Sequence, residues 1–197
     1  MKKGCLIAVI AVVVVVVLVG VWAVGSRNSF VTKEEGVANA WSQVENVYQR
    51  RADLIPNLVE TVKGYATHEQ TTLEGVVNAR AKATQITVDP DKIDAESLRR
   101  YQEAQGELGA ALGRLLAVSE NYPDLKANEN FLQLQAQLEG TENRIAVERK
   151  KFNEVVREYN VSVRRFPGNI VASMFGFETK PYFEADESAH QAPKVEF

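Results

Sequence analysis

Between Ala127 and Phe166 the chain places Phe131, Leu134, Leu138, Thr141, Ile145, Glu148, Phe152, Val155, Tyr159, Ser162 and Phe166 in alternating steps of three and four. That spacing predicts one helix of about forty residues, a rod of roughly 60 Å. A rod with a single apolar stripe must lay it against other helices. The chain can fold only if it supplies them.

It does. Thr32 and Glu35 have the spacing of a capping box, which predicts that a first helix begins there. Its stripe is Val37, Trp41, Val44, Tyr48, Arg51, Ile55, Leu58, Val62 and Tyr65, with a kink expected near Ala52 because Pro56 lies inside it. Thr67 and Gln70 form a second capping box, opening a shorter helix to about Gln85. Thr87 to Asp94 is a proline-containing connector. Asp94 can cap a third helix carrying Leu98, Tyr101, Gln105, Leu108, Leu112, Leu115, Ser119 and Tyr122. Gly106, Gly109 and Gly113 interleave with that stripe. Each costs about 1 kcal/mol relative to alanine, and close approach of a neighbouring helix is the expected reason, with a hinge or self-association surface as the other. Asn121, Tyr122 and Pro123 turn the chain into the long helix, which Pro167 and Gly168 stop.

Ahead of these elements, Gly4 to Ser26 is uncharged and apolar. Some twenty such residues suffice to cross roughly 30 Å of hydrocarbon. Ala23, Val24 and Gly25 resemble a signal-cleavage site, but signal cores run only about 7 to 15 residues. A retained single-pass anchor is the preferred reading, with Trp22 at its far boundary. Lys2, Lys3 and the amino terminus precede the span, and Arg27 and Lys33 follow it. By that small margin the positive-inside rule puts the amino terminus in the cytoplasm and the domain outside the inner membrane. Cys5 is the only cysteine. It precedes the apolar run, so it is a membrane-edge thiol or a site of reversible acylation.

The expected organisation is a transmembrane anchor over 1–26, a linker over 27–31, helices over 32–166, an apolar segment over 167–183 and a disordered acidic tail over 184–197. Helices with one seam each and short connections predict an all-α fold, an antiparallel up-and-down four-helix bundle with seams of coiled-coil type behind one transmembrane helix. Three stretches carry a family resemblance: RADLIPNLVETVKGYA at 51–66, YPDLKANENFLQLQAQLEGTENRIAVERKKFNE at 122–154, and REYNVSVRRFPGNIVASMFGF at 157–177. In this order and spacing they resemble the LemA family. The resemblance implies the same bundle behind a membrane helix, in bacterial proteins with no catalytic residues to carry over.

An enzyme reading finds little to stand on. The two histidines are His68 and His190. His68-Glu69 opens like a zinc-protease motif, but Thr72 stands where the second histidine belongs. No phosphate loop or nucleophile elbow is present, and no cofactor is implied. With 23 basic and 26 acidic residues the net charge is −3, which gives nucleic acid no counterion-release advantage. The Arg149, Lys150, Lys151 run is expected to be a wet helix face.

Two functions of different classes fit. One is a non-enzymatic envelope scaffold or adaptor, self-associating and partnered by the bilayer and by other envelope proteins. The other is a sensing or ligand-binding module lined by Arg51, Arg80, Gln105 and Glu148. Arg51 and Glu148 either pair in the core or point separately to water. Arg164, Arg165, Ile170, Val171, Met174, Phe175 and Phe177 either lie on the membrane interface or plug the base of the bundle.

Overall fold

The structure, a computed structural model, describes residues 2–66 and 68–184. Thr67, His190, the rest of the acidic end from 185 on and the Cys5 side chain lie outside the described residues. The fold is all-α, with no strand among the described residues. Helix α1 spans Lys2–Lys63, α2 Gln70–Gln85, α3 Ala95–Ser119, α4 Pro123–Lys126, α5 Glu129–Arg164 and α6 Gly168–Phe175, with a 3-10 turn at Pro90–Lys92.

Neighbouring helices run antiparallel. Trp41 and Arg51 of α1 meet Phe152 and Glu142 of α5. Arg80 of α2 reaches Ala52 of α1, while Gln70 and Lys63 share the opposite end of that pair. Lys82 and Ala83 of α2 meet Glu107 and Gln105 of α3. The first-helix stripe from Val37 to Val62 is buried as expected, and only Tyr65 is exposed. On α5 the inward face drifts past Phe152 to Val156, Asn160 and Val163 and leaves Phe166 outside. The drift follows from geometry, because an α-helix turns every 3.6 residues and a strict three-four alternation assumes 3.5.

The first helix does not begin at Thr32. α1 is one helix of 62 residues, roughly 90 Å long, and the expected linker at 27–31 is part of it. Thr32 Oγ1 donates to Asn28 O at 3.0 Å, so its hydroxyl serves a helix already under way. Burial holds this junction helical. Phe30 is 3% exposed, its ring 5.3 Å from Phe177. Gly168 makes room for it, since a Cβ there would stand 3.3 Å from Phe30 Cζ and 3.0 Å from Ser162 O. α1 also continues through Pro56.

Other starts follow the local rules more closely. Asp94 accepts from Ser97 N–H at 2.7 Å in a reciprocal capping box. Pro123 opens α4. The long helix then starts at Glu129, two residues later than expected, where Asn128 accepts from Phe131 N–H at 3.0 Å. α2 begins after Glu69 with no side-chain cap.

The interior holds two apolar clusters. One, around Trp41, Tyr48, Tyr101, Phe152 and Tyr159, lies toward the apolar run. The other, around Ile55, Leu58, Leu108, Leu115, Phe131 and Leu138, lies at the far end. Polar residues separate them.

Candidate functional site

Three arrangements carry the chemistry: the polar layer, the end of the bundle beside the apolar run, and a carboxy-terminal strap.

The polar layer centres on Arg51, 4% exposed. Its Nη2 donates to Gln105 Oε1 at 2.7 Å and to Gln105 O at 3.0 Å, and its Nη1 donates to Glu142 Oε2 at 2.9 Å. The guanidinium lies 5.1 Å from the centroid of the Tyr48 ring. Gln105 Nε2 in turn donates to Ala83 O at 3.4 Å. Arg51 and Gln105 therefore meet, whereas Arg80 donates to the Ala52 carbonyl and Glu148 is not among their partners. Glu148 accepts from Lys151 Nζ at 2.7 Å on its own helix. The register explains the choice of partner: Trp41 faces Phe152, and ten residues along each helix then bring Arg51 to Glu142.

The small residues of α3 border a cleft of about 340 Å³ shared by Arg51, Gln102, Gln105, Glu142 and Arg149. No close helix explains the glycines. A Cβ at Gly109 would meet Arg51 Nη1 at 3.9 Å, and one at Gly106 or Gly113 would meet nothing within 4 Å. Burial first, then the charges of Tyr48 and Glu45, pushes the Tyr101 hydroxyl above its ordinary range. Among the described residues no cluster of three or more His, Cys, Asp or Glu could hold a metal ion.

At the other end, α6 packs against α1 where the apolar run ends. The apolar segment divides into an inward and an outward part. Val171 and Ala172 are buried and Phe177 packs on Phe30, so these plug the base. Ile170, Met174 and Phe175 face outward with Phe166. Arg164 and Arg165 are exposed beside them, and Arg27 lies 5.5 Å over the Phe175 ring. A notch of about 600 Å³ opens here, lined by Trp22, Ser29, Lys33, Ser162, Arg165 and Phe166 among others. The apolar run itself, from Leu6 to Val24, is exposed along its length, on a helix long and apolar enough to cross a membrane.

The strap is what sequence reasoning missed. After Gly176, at φ 75°, residues 177–184 run without regular structure back along the bundle. Phe183 is 5% exposed and stacks on Trp41 at 5.9 Å. Asn153 and Asn160 bind its backbone, and Arg149, from the supposed wet face, lies 5.2 Å over the Phe183 ring. The one available signal was a pair of asparagines seven residues apart on the long helix, followed by an aromatic tail.

Comparison with known proteins follows the same outline. The LemA family model matches residues 40–197, which covers the helices after the apolar run. Magnetosome protein MamQ 1 of Paramagnetospirillum magneticum is 28% identical over 174 residues, 80% of this chain and 64% of that protein. MamQ of Magnetospirillum gryphiswaldense is 28% identical over 173 residues, 79% of this chain and 64% of its own length. Protein LemA of Metamycoplasma hominis is 25% identical over 164 residues, 83% and 71% of the two chains. The chain thus spans a little under two thirds of the magnetosome relatives. With four fifths of its length matched by the family model, the chain belongs to the LemA family.

Proposed function

We propose that this protein is a membrane-anchored, non-enzymatic helical scaffold or adaptor of the bacterial envelope, and that it self-associates. The observation that carries the reading is α1. A single helix leaves an exposed apolar run and becomes the central rod of the bundle, so whatever binds the bundle is held at a fixed place by the bilayer. The outward face of α6, with Arg27, Arg164 and Arg165, suits an interface of acyl chains and anionic headgroups. MamQ is a magnetosome protein by name, which agrees with work at a membrane.

A sensing module would need donors and acceptors free to meet a ligand. In the polar layer both terminal nitrogens of Arg51 are taken by Glu142 and Gln105, and Gln105 Nε2 by the Ala83 carbonyl, with Arg51 Nε left bare. Most of the layer's polar groups are thus engaged within the protein, which favours the scaffold.

Affinity purification from native membranes, with the mass of the assembly measured in mild detergent, tests this. A scaffold gives a mass well above 21.9 kDa, and a protein that runs as one chain with nothing attached contradicts it. The charges flanking the span support a bundle outside the inner membrane. A cysteine at Ser188→Cys then reacts with an impermeant thiol reagent on intact cells whose outer barrier has been opened. Labelling only after lysis puts the domain in the cytoplasm.

A further inference from the structure

The strap is bound the way a peptide is bound. Asn160 Oδ1 accepts from Lys180 N–H at 2.9 Å while its Nδ2 donates to Lys180 O at 2.8 Å. Asn153 repeats the pattern on Phe183, at 2.8 and 3.1 Å. The two asparagines stand seven residues apart on α5, about 10.5 Å of helix rise. Lys180 and Phe183 stand three residues apart in extended chain, about 10 Å. The match lets one helix face grip two residues of an antiparallel segment through their backbone N–H and C=O groups alone. Two side chains then set what fits. Phe183 enters a socket of Trp41, Phe152 and Arg149, and Lys180 Nζ pairs with Glu34 at 3.0 Å. Gln102 and Arg149 close the end by donating to Glu184 O at 3.3 and 2.7 Å.

We propose that this channel is a peptide-binding groove for an extended segment with a basic residue three places before an aromatic, and that in the membrane it takes residues 177–184 of a second copy of this chain. The proposal rests on the self-association argued above and names its interface. The segment that satisfies every feature of the groove is the chain's own, so a second copy carries an identical one. Copies confined to one bilayer present it at high effective concentration. The strap also leaves α6 through a single residue, Gly176, in the left-handed region. A short hinge of this kind is where identical chains exchange an element at little cost, because each hydrogen bond and ring stacking given up within one copy is remade between two.

The test uses the full chain in its native membranes with Cys5→Ser throughout. One tagged copy carries Gln102→Cys and a differently tagged copy carries Glu184→Cys, and a short bis-maleimide links groove to strap. A single chain carrying both cysteines controls for reach. Exchange predicts a covalent dimer bearing both tags. Its yield falls about tenfold when the strap-donating copy also carries Phe183→Ala, as expected for loss of a buried aromatic anchor, while the groove-bearing copy keeps its own Phe183 and its fold. If the doubly substituted chain closes on itself and no two-tag dimer forms, or if the dimer ignores Phe183→Ala, exchange is wrong. A detergent mass well above one chain in that same sample leaves self-association standing through another surface. A mass of one chain removes both.

Discussion

Arg80 Nε donates to the backbone carbonyl of Ala52 at 2.8 Å, the oxygen that Pro56 deprives of its own helical donor. A proline inside a helix leaves the carbonyl four residues earlier unpaired. Here Ala52 is 2% exposed, so water is a poor substitute and a neighbouring helix provides the proton. The defect in α1 becomes a point of attachment for α2. Arg80→Ala should cost about 1 to 3 kcal/mol, the range for a buried acceptor left bare. Restoring the amide with Pro56→Ala in the same chain should recover most of that loss in urea melts. Equal losses for Arg80→Ala with and without the proline would mean that the bond contributes nothing.

The polar layer predicts an order of effects. Gln105→Ala removes one acceptor of Arg51, the side-chain Oε1, and the donor to Ala83 O, while the backbone carbonyl stays, and should cost about 1 to 3 kcal/mol. Glu142→Ala removes a partner whose side chain is 63% exposed and should cost no more than about 1 kcal/mol. Glu148→Ala breaks only a pair within its own helix and should change stability by less than about 0.5 kcal/mol. Chemical denaturation of the three variants checks the order, and a large loss at Glu148 would contradict the register.

Asp94 predicts a pH dependence. The Ser97 backbone N–H holds its carboxyl below the ordinary value of 3.8, against a weaker opposing effect of burial. A carboxylate with a depressed folded-state value contributes stability above its ordinary value, and the contribution disappears as pH falls through the folded one. Asp94→Asn keeps a capping acceptor without the charge. Wild type should therefore exceed the variant in urea midpoint at about pH 6 and lose that advantage progressively as the pH falls below 3.8. A gap that widens on acidification would reverse the sign.

The two phenylalanines of the base should separate. Phe177 is half-buried and packs on the core residue Phe30, whereas Phe175 is 50% exposed. Phe177→Asp should cost about 3 kcal/mol or more by burying a charge. Phe175→Asp should leave the melting temperature nearly unchanged and weaken association with anionic liposomes. Similar melting losses for both would make the outer face of α6 part of the core.

Much of this fold was legible because helices write a period. The run of buried residues from Val37 to Val62 and the stripe of α3 from Leu98 to Ser119 appear in the sequence as they appear in the bundle. Arg51 and Gln105 were legible as polar residues on apolar seams. Their partners were not, since a shift in register changes which carboxylate faces the arginine while leaving both stripes intact. The start at Thr32 misled for a related reason. A capping box is a local pattern, and it cannot report that Phe30, two residues earlier, is held in the core by Gly168 and Phe177. The strap was the least legible part. An extended segment fixed by side chains twenty and thirty residues away, Asn160 to Lys180 and Asn153 to Phe183, has no periodicity to show.

Everything proposed for this protein depends on its bundle sitting directly on the bilayer, with the outward face of α6 in the headgroup layer. Spin labels on single cysteines in full-length Cys5→Ser protein, reconstituted in bilayers containing anionic lipid, measure that directly. Labels would stand at Val15→Cys in the apolar run, Val147→Cys on the exposed flank of α5 and Met174→Cys on α6. Collisions with lipid-soluble oxygen and with a water-soluble nickel chelate are then compared at each. Seating at the bilayer predicts that the Met174 label resembles Val15 more than Val147, relaxed strongly by oxygen and weakly by nickel. A Met174 label as open to nickel as the one at Val147 would put α6 in water and contradict it.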